Sequence, residues 1–138
     1  MKHFILMSDI IDSSHKSQYS LMGNFKKATK HINDIYSDSI ISPLTITLGD
    51  EFQGIIDTLP NAIKIMLALE ELLIENNSQI KLRYVLVYGE IETLINTHIA
   101  FEMLGDGLTK SRKLLNNLKK REERFYIDIE NQSMNIIL

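Results

Sequence analysis

Two aspartates in this sequence each interrupt an apolar run. Asp9 leaves the run His3–Met7, and Asp50 follows Leu44–Leu48 as the second half of a Gly49-Asp50 pair. If the strands implied by those runs are neighbours, both carboxylates project from one end of a sheet. Such a pair can hold Mg²⁺ or Mn²⁺, hard cations that prefer oxygen ligands and often bridge substrate phosphates. With two ions roughly 3.5–4 Å apart, one activates an attacking hydroxyl while the other stabilises the leaving oxygen. A plainer use is equally open: Asp9 caps the polar turn that follows it, and Asp50 favours a hairpin.

A second constellation is Gly105-Asp106-Gly107, with Thr109 and Arg112 within the next turns. A helix starting there offers unpaired N–H groups and a partial positive charge to an anion. Arg112 adds a forked donor suited to phosphate. It borders the apolar stripe of Leu108 and Leu115, so it can also simply snorkel over the core edge. The third set is Glu51, Glu90, Glu92 and Glu102, each either a general base, an orienting carboxylate or a solvated surface group. His3, His15, His31 and His98 have no metal-ligand spacing; His15 lies nearest Asp9.

These residues need elements to hold them. The run His3–Met7 reads as a buried strand and Ser17–Ser37 as an amphipathic helix, with apolar residues recurring at Leu21, Met22, Phe25, Ala28, Ile32, Ile35 and Tyr36. Pro43 stops helix, Leu44–Leu48 alternates as a strand, and Gly49-Asp50 turns it into a return strand at 52–56. Pro60 opens a second helix that runs to about Glu75. A strand follows over Ile80–Tyr88, residues 92–102 are ambiguous, and a third helix spans roughly 108–123. Phe125–Ile129 and Met134–Leu138 read as strands. The run Lys119–Arg124, with its mixed signs, reads as a solvated helix end. This order predicts an α+β sandwich with helices on one face of a mainly antiparallel sheet.

Composition sets the outer limits. The 138 residues are 44% apolar and 24% charged, with a net charge of -3 and no cysteine. That length and balance predict one folded domain, not a disordered chain. Disulfides and thiolate chemistry are excluded. No apolar stretch approaches the roughly 20 residues of a membrane span, and the N-terminus lacks a signal-peptide pattern. A pI near 5.8 speaks against nucleic acid as a partner. A cytoplasmic domain without membrane contact is the expectation.

The segments also resemble known ones. Ser8-Asp9-Ile10-Ile11-Asp12-Ser13-Ser14 resembles the DIxGFT strand of class III nucleotidyl cyclases. Leu48-Gly49-Asp50-Glu51-Phe52 resembles both their IGD hairpin and the GGDEF hairpin of diguanylate cyclases. The stretch Leu82–Ile91 resembles the cyclase strand ending in GEV, and Phe101–Asp106 is similar to the YDVWGD segment. More narrowly, SDIIDSS, TLGDEFQG and YGEI together resemble the SatD family, named from an acid-tolerance locus. The resemblance implies a ferredoxin-like, cyclase-type fold over 1–138, metal (Mg or Mn) at Asp9 and Asp50, and a homodimer with sites at its interface. It implies nucleotide contacts at Gly49, Glu102, Gly105, Asp106, Gly107 and Thr109, and catalytic roles for Glu51 and for Arg112 or Lys113. The resemblance also implies that relatives are often longer, with a C-terminal segment resembling a helix-turn-helix, and the expectation for 1–138 is a single domain without it.

The departures are specific. The purine-reading lysine of cyclases falls on Ile46, and the helix asparagine on Thr109. The transition-state arginine falls on Lys113, with Arg112 one residue early. Leu48 takes the place of the first glycine of GGDEF. Metal ligands kept while substrate-reading residues are lost imply a regulatory or stress-related domain binding a metal or nucleotide. An active metal-dependent nucleotidyl or phosphoryl transferase is the second reading, and a protein-interaction module the third.

Overall fold

The computed structural model describes residues 1–11, 18–47, 49–76, 78, 80–129 and 132–136, with the side chains of 18 and 132–136 excepted. Asp12, Ser13, Ser14, His15 and Leu48 lie outside the described residues. The elements are β1 (Lys2–Ile10), α1 (Gln18–Ile35), a 3-10 turn at Ser37–Ser39, β2 (Ile40–Ile46) and β3 (Glu51–Ile56). Then come α2 (Leu59–Glu75), β4 (Leu82–Glu90), α3 (Asp106–Leu118), β5 (Phe125–Ile129) and β6 (Gln132–Ile136). The six strands form one sheet in the order β2-β3-β1-β4-β5-β6. Every pairing is antiparallel except β4 with β5, which α3 connects as a parallel crossover. The first four strands and α1 and α2 make the ferredoxin-like unit expected from the sequence.

β1 lies at the centre, and both of its faces are covered. Leu6 and Ile10 point into a core built with Leu21, Phe25 and Ile32 of α1 and Ile65, Met66 and Leu69 of α2. Ile5 and Met7 point the other way, into a core with Val85, Val87, Leu115 and Leu118. α1 and α2 therefore share one face, as expected, while α3 covers the opposite one. The reason is in its sequence: Gly107, Ser111, Leu115 and Leu118 repeat at helical spacing and need a second apolar surface, which β1 and β4 provide.

Local chemistry explains the ends. Thr58 caps α2 by accepting from the amide of Asn61 at 3.3 Å, and Pro60 occupies its first turn. Pro43 sits inside β2, which is tolerated because β2 is an edge strand with register shifts on both sides of Ser42. The Asn33 side chain closes that gap, donating to the Leu44 carbonyl (2.9 Å) and accepting from its amide (2.8 Å). α3 ends at Leu118, five residues before the end the periodicity predicts. The chain must leave the helix there to bring Phe125 alongside Tyr84 and begin β5.

The ambiguous stretch after β4 forms neither helix nor strand. It is a loop closed on itself by the amide of Glu92 donating to the Leu104 carbonyl (2.8 Å). Gln53 donates to the Ala100 carbonyl (2.9 Å), Ser42 to that of Asn96 (2.6 Å), and Thr45 accepts from the Ala100 amide (3.0 Å). Ala100 and Met103 are buried beneath it, and Leu94 and Leu104 face outward.

Candidate functional site

The site forms where β1 ends, β3 begins and β4 begins. The antiparallel register sets Asp9 directly between Glu51 on β3 and Arg83 on β4. Side chains alternate across a sheet, so Asp9 shares the α3 face with Ile5 and Met7. Asp9 and Glu51 are 1% and 2% exposed.

Each carboxylate oxygen there has a cationic partner. Arg83 donates to Asp9 through Nε at 2.9 Å to Oδ1 and Nη2 at 3.1 Å to Oδ2, a bidentate pair. Arg112 of α3 donates to both oxygens of Glu51, with 3.0 Å to Oε2. Lys119, which caps the C-terminus of α3, places its ammonium 3.4 Å from Glu51 Oε2 and 3.6 Å from Asp9 Oδ2. The end of a helix favours a cation, so α3 suits Lys119 there. Burial pushes the Asp9 carboxyl above its ordinary range, and Glu51 adds to that, against the opposing pull of Arg83 and Lys119. Desolvation outweighs the ion pairs.

Asp50 is half-buried on the hairpin, and its carbonyl accepts from the amide of Ile10 at 2.9 Å. The register thus makes Glu51 the carboxylate opposite Asp9, with Asp50 one residue further. Gly49, at φ +68°, supplies the left-handed residue of the turn. The other expected residues are elsewhere. Gly89 pairs with His3, six residues along β1 from Asp9, or roughly 20 Å at about 3.3 Å per residue. Gly107 packs against Gly89 there: a Cβ on Gly107 would lie 2.6 Å from the Gly89 carbonyl carbon. One on Gly105 would lie 2.3 Å from the Glu90 carbonyl oxygen. These glycines let α3 press onto the end of β4. Asp106, Lys113 and Glu102 are exposed, Glu102 with φ +59°. The Thr109 hydroxyl, also exposed, is 3.4 Å from the Gly105 carbonyl. Glu90 is bonded by the N-terminal amine, and Glu92 is exposed. Ile46 packs against the core under α1.

Sequence reasoning did not single out Arg83 or Lys119. For Arg83 the signal was present: it shares a face with Val85 and Val87, both buried, so a strand periodicity puts it inward. Lys119 lies four residues after Leu115 and seven after Arg112, on the same helical stripe. The solvated helix end is corrected at two positions. Lys119 turns to the carboxylate pair, and Arg124 bonds Glu70 and the Leu82 carbonyl (2.9 Å), its guanidinium over the Phe125 ring. Lys120, Arg121 and Glu122 are exposed as expected.

The Asp9–Glu51 pair, with its cations in place, does not fit Mg²⁺ or Mn²⁺. Both carboxylates are already neutralised by cations, and a dication bridging them would need oxygens at about 2.0–2.1 Å for Mg²⁺. Lys119 stands between them instead. A unit positive charge about 4 Å from a dication costs roughly 8 kcal/mol at an effective dielectric near 20. Among the described residues no group of three or more His, Cys, Asp or Glu could hold a metal. A groove of about 350 Å³ between α1 and α2, lined by Lys27 and His31 among others, lies on the opposite face from these charges.

Solved structures share this fold. A bacterial light-regulated adenylyl cyclase aligns with TM-score 0.69 and 15% identity over 92% of this chain and 43% of its own, so the chain spans less than half of it. The catalytic core of a rhodopsin-guanylyl cyclase with converted specificity, in complex with ATPalphaS, aligns with TM-score 0.61 and 16% identity over 92% and 78%. The guanylate cyclase domain of RhGC from Catenaria anguillulae, in complex with GTP, aligns with TM-score 0.55 and 15% identity over 91% and 77%. At such identities the likeness establishes a cyclase-type fold. No helix among the described residues is long and apolar enough to cross a membrane. No curated protein matches the chain. The SatD family model matches residues 3–134, and the chain belongs to the SatD family.

Proposed function

We propose that this chain is a non-cyclising regulatory domain that takes a phosphorylated ligand, in the simplest case a nucleotide, where Arg83, Arg112 and Lys119 gather. One observation carries the reading: three cations face two carboxylates, and the Arg112 and Lys119 side chains are 33% and 37% exposed. The site is net positive and open to solvent on the side of α3. An arginine fork and an ammonium are the donors that recognise phosphate. Asp9 and Glu51 hold those cations in place, as a paired network does. Two fold neighbours are complexes with ATPalphaS and GTP, which supports a nucleotide as the first ligand to test. Ile46 and Thr109, in place of base- and ribose-contacting residues, support binding without cyclisation.

A homodimer is part of this reading. In it a second copy brings its Gly105–Thr109 segment to the nucleotide held beside Asp9. Leu94, Ile99, Phe101 and Leu104 give the loop beside that segment an exposed apolar surface.

The test is thermal unfolding with ATP, GTP and cyclic dinucleotides, each in excess EDTA, with sedimentation on the same samples. A ligand at about one hundred times its Kd adds roughly 2.7 kcal/mol, a shift of several degrees. The expected result is such a shift with at least one nucleotide, lost in Arg112→Met, and no cyclic product. No shift with any of them overturns the proposal and favours an interaction module. The fold shared with adenylyl and guanylyl cyclases favours a transferase with metal at Asp9 and Asp50 as the second reading; turnover that requires Mn²⁺ and fails in EDTA would establish it.

A further inference from the structure

We infer that Lys119 occupies the place of a bridging divalent ion between Asp9 and Glu51, so that this chain carries its own counter-ion where a metal would sit. The inference concerns the resting protein and stands whichever ligand the site takes.

Geometry supports it from three sides. Among the described residues the Lys119 ammonium contacts both acids, 3.4 Å from Glu51 Oε2 and 3.6 Å from Asp9 Oδ2. Those two oxygens face each other across the β1–β3 pair, because Asp9 and Glu51 are register partners. The outer sides of the carboxylates are closed by Arg83 and Arg112. Lys119 also ends α3, where the last helical carbonyls favour a positive charge. Arg83 and Arg112 are anchored bidentately or at short range, whereas the longer Lys119 contacts make it the cation most readily displaced.

It follows that the metal affinity of the pair is set by one residue on α3, outside the strands that carry the acids. Removing the ammonium leaves two adjacent carboxylates with a vacancy between them and only two positive neighbours. Such a pair takes a hard dication far better than the wild type does.

Mn²⁺ alone is the probe, titrated by calorimetry and by the paramagnetic resonance of free Mn²⁺, without nucleotide. Wild type and Lys119→Arg are expected to show no saturable uptake in the low millimolar range. Lys119→Met and Lys119→Gln are expected to bind at least about tenfold more tightly, the least that losing a like charge some 4 Å away would produce. Adding Glu51→Gln to Lys119→Met should abolish the gain. Thermal unfolding of each variant verifies that it folds, and two neutral replacements guard against a misfolded one. The inference is overturned by wild-type uptake that Glu51→Gln removes, or by neutral variants that fold and gain nothing. Because no nucleotide is used, either result leaves the ligand proposal to be judged by its own test.

Discussion

Replacing Arg83 by Met separates the charge of Asp9 from its principal partner. Arg83 is 13% exposed at its side chain and Asp9 1%, so the pair is buried and solvent offers Asp9 little compensation. Lys119, at 3.6 Å, remains as a weaker neighbour. Removing one partner of a buried ion pair typically costs about 3–5 kcal/mol. An unfolding entropy of about 2.1 cal/mol/K per residue gives roughly 0.3 kcal/mol/K for 138 residues, hence a fall in Tm of about 10–17 °C near neutral pH. The cost must depend on pH. Burial already raises the Asp9 carboxyl above 3.8 in the wild type, and losing Arg83 removes the main opposing influence. For an acid whose folded pKa is raised, the native state holds more protons than the unfolded one, so stability falls as pH climbs from 3.8 through the folded value. The variant's deficit is therefore full above its own raised value and shrinks as pH drops towards 3.8. Denaturant unfolding of both proteins across that range measures it. A deficit below about 1 kcal/mol at neutral pH, or one that does not shrink on acidification, would refute the reasoning.

Other consequences are local. Gly107→Ala should destabilise by about 1–3 kcal/mol, since its Cβ meets the Gly89 and Glu90 backbone at 2.6–2.8 Å. Gly23→Ala, which meets nothing within 4 Å in mid-helix α1, should instead stabilise by about 0.5–1 kcal/mol; thermal unfolding distinguishes the two. Ser8 is buried and its hydroxyl has no hydrogen-bond partner among the described residues, so Ser8→Ala should be neutral or stabilising by up to about 1 kcal/mol in denaturant unfolding. Tyr84 is buried and donates to Glu70 at 2.8 Å; burial first, then the Glu70 charge, pushes its phenol well above 10. In an ultraviolet titration it should ionise well on the alkaline side of 10, and loss of folded structure should accompany it.

The sequence's periodicities made the architecture legible because apolar spacing is what buries each element. β5 is found at its expected bounds, and α1 and α2 lie within a residue or two of theirs. β2 begins four residues early because Asn33 makes the hydrogen bonds that Pro43 disrupts, a long-range compensation no local pattern shows. At the site, Asp9, Glu51 and Arg112 were visible as residue types near strand and helix ends. Their grouping was not, because it depends on register: a shift of one residue on β3 would put Glu51 on the other face and bring Asp50 opposite Asp9. Gly105 and Gly107 depend on the fold in a related way. A glycine beside a helix start signals close approach, but of what is decided by the fold, and here it is the backbone of β4.

The raised carboxyl of Asp9 argues that the charged cluster is not there for stability. Burying an ion pair gains little when desolvation exceeds attraction, and apolar residues of similar volume often serve as well or better by 1–4 kcal/mol in other proteins, to order of magnitude. Asp9→Val combined with Arg83→Leu removes both charges from the sheet and extends the apolar rows of Met7 and Val85. The double variant should therefore recover most of what Arg83→Met alone loses, even though it discards the whole pair. Lys119 keeps Glu51 as a partner at 3.4 Å and leaves no buried charge stranded. Denaturant unfolding measures the recovery, and nucleotide titration of the same protein supplies the contrast. If the double variant is stable but blind to ligand, the five charges are held for recognition. If it is as unstable as Arg83→Met, the ion pair is a net contributor to folding and the inference from the Asp9 shift is wrong.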